Sequence, residues 1–264
     1  MRLPFSVNHY LCPATMGLPA FLDVVSNAGF GGVGLTQRAL AELPLPELRR
    51  ELAARQLQVS SLNSAGFFLG EAEHVQQDIN SRLVTAAAEL QARVLNVLPG
   101  CDTGMSMPKN QASIAACFQA LAGAAYTAGV QLAIEPLHAT RARIKSSVNT
   151  IAAAAGMIGP SSSATLNLDM YHLWGDAALD QTVAGVGPRI GLVQICDIGD
   201  SGGAARRLPL DEGNVDWRPF VRRVQARHPD APIELELFAD QLPGRSAVDI
   251  IEDAAKLLTP GEEC

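Results

Sequence analysis

Short apolar runs alternate along the chain with longer amphipathic ones. The short runs are SVNHYL (6–11), GVGLTQ (32–37), QVSSLN (58–63), VLNVLPG (94–100), VQLAIEP (130–136), ATLNLDM (164–170), GLVQICD (191–197) and PIELELF (232–238). Most are rich in Val, Ile or Leu, the pattern of strands buried on both faces. Between them, helical spacing of apolar residues predicts helices over 18–29, 45–57, 79–92, 112–129, 147–159, 215–228 and 246–258, with a weaker stretch at 177–187. Local punctuation agrees: a proline sits near the first turn at 45–57, and Gly129 and Gly159 close two of the others.

Each strand-like run is followed by a helix-like run, so the chain reads as a repeated βα unit. Such alternation implies a parallel sheet with helical crossovers. Eight units in a chain of 264 residues predict an α/β fold, a single (β/α)8 TIM barrel spanning residues 1–264. The rival is a doubly wound open sheet, whose nucleotide fingerprint would follow the first strand and open a helix. The glycine-rich GFGGVGL (29–35) instead precedes the second strand, and reads as a turn. No Pro-, Gly- or Ser-rich linker divides the chain.

Composition narrows the function classes. The chain is 48% hydrophobic and 18% charged, with a net charge of −7. That supports a large core and argues against a nucleic-acid partner, whose phosphates call for clustered Lys and Arg. No apolar run is long enough for a membrane helix, and the first residues lack the apolar stretch of a secretory signal. Five scattered cysteines without a CxxC pair read as reduced thiols, and the expected location is cytoplasmic.

In a barrel the active site sits at the C-terminal ends of the strands. Polar residues there are Glu135 in LAIEPLH, Asp169 in LNLDMYH, Gln194 in GLVQICD and Glu236 in IELELF, spaced by 34, 25 and 42 residues. Each stands in an apolar run, where a polar group is costly unless paired or liganded. Carboxylates brought together without a cation would repel one another. The four therefore read as ligands of one divalent metal ion. Their oxygen-rich set suits Mn2+ first or Mg2+, with Co2+ and Zn2+ as alternatives. Glu234 shares the face of Glu236 by strand alternation and competes for the last position; Glu236 lies nearer the C-terminal end. Arg141, Arg143 and Lys145 follow the fifth strand, either as an anion-binding rim or as a solvated charged loop. Asn63 and Asn96, at the ends of strands three and four, are candidates for binding hydroxyls.

The segments IEPLH, LDMYH, VQICD and LELF, in that order, resemble the xylose isomerase-like TIM barrels, and within them the sugar phosphate isomerase/epimerase group. The resemblance spans nearly the whole chain. It implies metal ligands at Glu135, Asp169 and Glu236, with Gln194 where a His is commoner. It also implies an acid/base pair, Glu135 and Glu236, and substrate contacts from His172. The run from Arg207 to Trp217 is similar to the family's loop after strand seven and implies a substrate contact from Arg207. Asp211 stands there where Gly is usual. His138 resembles the EPLH variant of the pattern; it either lines the site or is a loop histidine without a chemical role.

What the resemblance implies is a metal-dependent isomerase or epimerase acting on a small sugar or hydroxy-carbonyl compound through an enediolate. The alternative is a lyase on the same scaffold, of the dehydroshikimate dehydratase kind. An endonuclease IV-like repair enzyme would need three metals and more histidines than the five present. Partners implied are a small-molecule substrate and, by the habit of the family, a second copy in a homodimer or homotetramer.

Overall fold

A computed structural model describes residues 5–69, 73–159, 163–185, 189–201 and 204–258. Its strands are β1 (Phe5–Asn8), β2 (Gly32–Thr36), β3 (Gln58–Gly66), β4 (Val94–Leu98), β5 (Leu132–Ile134), β6 (Thr165–Asp169), β7 (Ile190–Ile195), β8 (Asp197–Ser201), β9 (Ala204–Leu208) and β10 (Ile233–Leu235). Eight of them close a barrel in the order β1-β10-β7-β6-β5-β4-β3-β2. Every pairing around it is parallel. The architecture is that of a single (β/α)8 barrel.

The helices are α1 (Leu18–Asn27), α2 (Gln37–Glu42), α3 (Leu45–Ala54), α4 (Glu73–Glu89), α5 (Met107–Thr127), α6 (Ile151–Ile158), α7 (Met170–Leu173), α8 (Leu179–Val183), α9 (Trp217–Arg227) and α10 (Ala247–Leu258). The longer ones bury a single stripe against the strands. In α5 the buried residues include Ile114, Phe118, Leu121 and Ala125, at the four-three-four spacing of one helical face. In α10 they are Ala247, Ile250, Ile251, Ala254, Ala255 and Leu258. Together with the outward faces of the strands these side chains make one continuous core.

Several elements are shorter than the apolar runs that predict them, for local reasons. The first run spans 6–11, yet β1 stops at Asn8, because the Asn8 side chain accepts a hydrogen bond from the Tyr10 N–H at 2.9 Å and turns the chain into a 3-10 turn, His9–Leu11. In β5 and β10 only three residues pair as strand. Beyond them the Glu135 N–H still donates to the Val97 carbonyl at 3.0 Å, and the Glu236 N–H to Ile195 at 2.9 Å, so both glutamates are carried by the ends of the ladder. The weak stretch at 177–187 is α8; its last residues, 186 and 187, lie outside the described set.

The short helices α2 and α7 and one hairpin lie outside the predicted elements. Strands β8 and β9 form an antiparallel hairpin directly after β7, pairing Asp197 with Leu208 and Ser201 with Ala204. The polar stretch that builds it lacks the apolar alternation of a buried strand, and sequence reading takes it as loop. The hairpin matters because it carries Arg207 back over the mouth of the barrel. No helix among the described residues is long and apolar enough to cross a membrane.

Candidate active site

The interior of the barrel is floored by a polar layer. Asn63 on β3, Asn96 on β4, Asn167 on β6, Gln194 on β7 and Glu234 on β10 are all at most 1% exposed. They join in a closed ring of hydrogen bonds. Asn96 Nδ2 donates to Asn63 Oδ1 at 3.0 Å, Asn63 Nδ2 to Ser61 Oγ at 2.7 Å, and Ser61 Oγ to Glu234 Oε2 at 2.8 Å. Gln194 Nε2 donates to Glu234 Oε1 at 2.9 Å, and Asn167 Nδ2 to both Gln194 Oε1 at 2.6 Å and Asn96 Oδ1 at 3.2 Å. Glu234 takes two more donors, Asn8 Nδ2 at 2.6 Å and Ser60 Oγ at 2.7 Å. Three neutral donor side chains, Asn8, Ser60 and Ser61, and the Gln194 amide thus surround this buried carboxyl, and no cation among the described residues touches it. Gly34 sits against it so closely that a Cβ there would run into the Glu234 carboxyl. Sequence reading singles out Asn63, Asn96, Gln194 and Glu234 as separate polar positions; Asn167 and the serines, and the contacts that join them all, are not visible in it. Asn63 and Asn96 belong to it, and Asn96 also lines the cavity above.

Register sets the next layer. Asp169 pairs with Gln194, and Gln194 with Glu234, across β6, β7 and β10. Glu135 and Glu236 follow the last residues of their strands and rise above the floor. Glu135 Oε2 accepts from Asn96 at 2.6 Å and from Asn167 at 3.2 Å. Glu236 Oε1 accepts from Gln194 Nε2 at 2.9 Å. The Gln194 amide therefore presents its nitrogen to both glutamates of β10 and the following loop, and its oxygen to Asn167.

Arg207, on β9, enters this layer from above. Its Nη1 donates to Asp169 Oδ1 at 3.0 Å, its Nη2 to Asp169 Oδ2, and Nη2 also lies 2.9 Å from Glu236 Oε2. Arg207 is only 5% exposed, with its guanidinium over Tyr171 at 4.4 Å and Phe238 at 5.4 Å. A planar, always-charged fork suits a bidentate carboxylate partner and aromatic faces at once. His172, in α7, follows Asp169 by three residues. Asp169 caps that turn by accepting from the Tyr171 N–H at 2.9 Å, which swings the imidazole back over the site. His172 Nε2 lies 3.6 Å from Asp169 Oδ2 and 3.8 Å from Glu135 Oε1. His138 goes elsewhere: it is exposed, accepts from the Thr140 N–H at 3.2 Å, and does not line the cavity.

A cavity of about 320 Å3 opens over these groups, lined among others by Tyr10, Glu135, Tyr171, His172, Arg207, Glu236 and Phe238. Tyr10 stacks on Phe238 with ring centroids 4.7 Å apart, forming an apolar wall. The two glutamates are electrostatically alike. Burial, reinforced by the Asp169 charge, pushes Glu135 up to about 7 against the pull of Asn96, Arg207 and Asn167. Burial also pushes Glu236 well above the ordinary carboxylate range; Arg207 opposes this, while Asp169, Glu135 and Glu234 add to it. Asp169 behaves differently. Burial works against its charge, but Arg207, His172 and the Tyr171 N–H outweigh burial and hold it below the usual range. Burial drives His172 down to about 4, so its ring is neutral near pH 7.

The donor set also meets the demands of a divalent ion. Donor atoms of Glu135, Asp169 and His172 all lie within 4.8 Å of one another, and the three could hold a metal. Glu236 Oε2 is buried and accepts no hydrogen bond, only the ion pair with Arg207. For Gln194 to join as a ligand, its amide would have to turn its oxygen away from Asn167.

The loop after the hairpin explains the Asp at 211. Asp211 has φ +67°, the left-handed region that favours Gly but tolerates Asp. Its carboxylate is held by Trp217 Nε1 at 3.1 Å and Arg218 Nη1 at 2.6 Å. Asp197 ties the other side of the loop, accepting from the N–H groups of Ile198 at 2.7 Å and Val215 at 3.0 Å.

Comparison with known proteins agrees with this architecture. A crystallised protein from Sinorhizobium meliloti 1021 is 27% identical, with a TM-score of 0.86 over 96% of each chain. The IOLI protein, in a crystal structure with a zinc atom bound, is 17% identical, with a TM-score of 0.80 over 97% of this chain and 96% of its own. A D-allulose 3-epimerase from Methylomonas sp., crystallised with D-allulose, is 19% identical, with a TM-score of 0.76 over 97% of this chain and 96% of its own. No curated protein matches the chain significantly by sequence. The model of the xylose isomerase-like TIM barrel family matches residues 22–260. With nearly the whole barrel inside that match, the chain belongs to the xylose isomerase-like TIM barrel family.

Proposed function

We propose that the chain is a divalent-metal-dependent isomerase or epimerase of a small sugar or hydroxy-carbonyl compound. The observation that carries this reading is the pair Glu135 and Glu236. Both face one cavity, both are buried, and both hold a proton more tightly than an ordinary carboxyl, Glu135 up to about 7. The neighbour named as a D-allulose 3-epimerase belongs to the same fold and supports that class of substrate.

Moving a proton at the carbon beside a carbonyl needs a base, an acid and positive charge near the carbonyl oxygen. Either glutamate, ionised, takes the proton from carbon. The other, protonated, returns one to the neighbouring carbon or to the opposite face of the same carbon. Arg207 supplies a fixed positive charge beside both Asp169 and Glu236, and neutral His172 would hold a substrate hydroxyl. Tyr10 and Phe238 close one wall against water, which strengthens every charge interaction inside. Glu135, Asp169 and Glu236 would hold a divalent ion, with His172 or a turned Gln194 completing the set; such an ion, when bound, polarises the carbonyl as a Lewis acid. Oxygen-rich donors favour Mn2+ or Mg2+, and a histidine donor would extend the range to Co2+ or Zn2+.

Elemental analysis of the purified protein, followed by product analysis with ketoses, hydroxypyruvate, inososes and dehydroshikimate, tests the reading. The expected result is one divalent ion per chain and interconversion of isomers or epimers. An unsaturated product from any member would replace the reading with a lyase, and a protein that takes up no divalent ion would overturn its metal dependence.

A further inference from the structure

We infer that the substrate of this site is an anion, with a phosphate or carboxylate at the end remote from the reacting carbons. The inference deepens the proposed isomerase or epimerase reading by naming the charge class of its substrate. It starts from two cations at the mouth of the cavity. Arg141 and Lys145 both line it, and neither has an ion-pair or hydrogen-bond partner for its side chain among the described residues. The other cavity-lining cation, Arg207, is already committed to Asp169 and Glu236.

The backbone holds the two free cations side by side. The Arg141 carbonyl accepts from the N–H groups of Ile144 at 3.1 Å, Lys145 at 3.0 Å and Ser146 at 3.4 Å, closing one tight turn. Arg143, inside the turn, adopts φ +59° and donates from Nη2 to the Thr103 carbonyl at 2.8 Å, so its guanidinium is engaged there. The Ser147 N–H donates to the Gly100 carbonyl at 3.0 Å, and Asn149 Nδ2 to Leu137 at 3.1 Å, anchoring the turn to the ends of β4 and β5. Here the positive ends are left unpaired beside a floor rich in carboxyls. A small sugar whose hydroxy-carbonyl end reaches Glu135 and Glu236 would leave its far end at this mouth. A volume of about 320 Å3 fits a small ligand, at the lower end of the roughly 300–1,000 Å3 seen for such sites.

The test compares three ligands by calorimetry on the whole chain in Mn2+ buffer and again without added metal: a ketopentose, its 5-phosphate, and a ketohexuronate. Either anion, or both, should bind about tenfold or more tightly than the neutral sugar, and the ratio should shrink as salt rises. In Arg141→Ala/Lys145→Ala the ratio should fall to about twofold or less, and Lys145→Ala alone should lie between. The phosphate and carboxylate arms identify which anion the mouth takes. Both side chains are exposed, so the variants should keep the wild-type melting temperature; a variant that melts early is replaced by Arg141→Gln/Lys145→Gln. Neutral sugar binding as tightly as both anions, no measurable binding of either anion at millimolar concentration, or a ratio that survives the double substitution would overturn the inference. A preferred anion that binds but never exchanges its carbon-bound proton would instead count against the isomerase reading and leave the charge preference standing.

Discussion

Arg207 occupies ground that a metal ion would contest. Its guanidinium sits against Asp169 and Glu236, two of the three carboxyls proposed as ligands. Removing one partner of a buried ion pair costs roughly 3–5 kcal/mol, because the other charge is left uncompensated. Arg207→Ala should therefore melt earlier than wild type in the absence of metal, and should regain more stability than wild type when Mn2+ is added. Thermal melts with and without Mn2+ check this; an equal gain in both proteins would show that Arg207 and the ion do not compete. His9 gives a second expectation. It is 1% exposed and accepts from Arg38 at one nitrogen while meeting Thr36 with the other, at 3.2 and 2.9 Å. Burial and the Arg38 charge lower it from 6.5 to about 4. A lowered histidine stays neutral in the fold, while the unfolded chain gains a proton first as pH falls. Its contribution is complete above about pH 6.5 and is lost on the way down to about pH 4, amounting to about 3 kcal/mol. Urea melts across that window should show a shallower pH slope for His9→Gln than for wild type; identical slopes would remove His9 as the cause.

At the scale of elements, what the chain declares in advance is what repeats. Eight apolar runs at strand spacing and the helices between them carry the barrel, because each βα unit buries its own stripe by the same rule. The four polar strand ends are legible for the same reason: Glu135, Asp169, Gln194 and Glu236 interrupt apolar runs. The hairpin β8–β9 is not legible, since its strands are polar and pair only with each other. Of the floor ring, Asn63, Asn96, Gln194 and Glu234 are legible one by one, but their joining is not, because it rests on contacts between residues up to 226 positions apart, such as Asn8 with Glu234. Gly34 shows how tightly this layer is built. A methyl group there meets the Glu234 carboxyl, and overpacking of this kind costs about 1–3 kcal/mol. Gly34→Ala should lower the unfolding free energy from urea melts by that amount; an unchanged value would mean that the floor has room to move.

Across the whole molecule, a closed parallel barrel converts sequence order into a ring of strand ends, and this chain fills one arc of it with carboxyls from β6 and from the segments after β5 and β10. The hairpin returns a cation to that arc, and the turn after β5 leaves two more at its rim. The account stands on Glu135 and Glu236 moving a proton. Solvent deuterium exchange into a bound ketose, in Mn2+-saturated protein, addresses it most directly. Wild type should place deuterium on the carbon beside the carbonyl. Glu135→Gln and Glu236→Gln should each keep the bound ion yet lose exchange by roughly 10²–10⁴-fold, the worth of general acid–base help. Exchange at the wild-type rate in both metal-loaded variants would contradict the assignment of these two carboxyls.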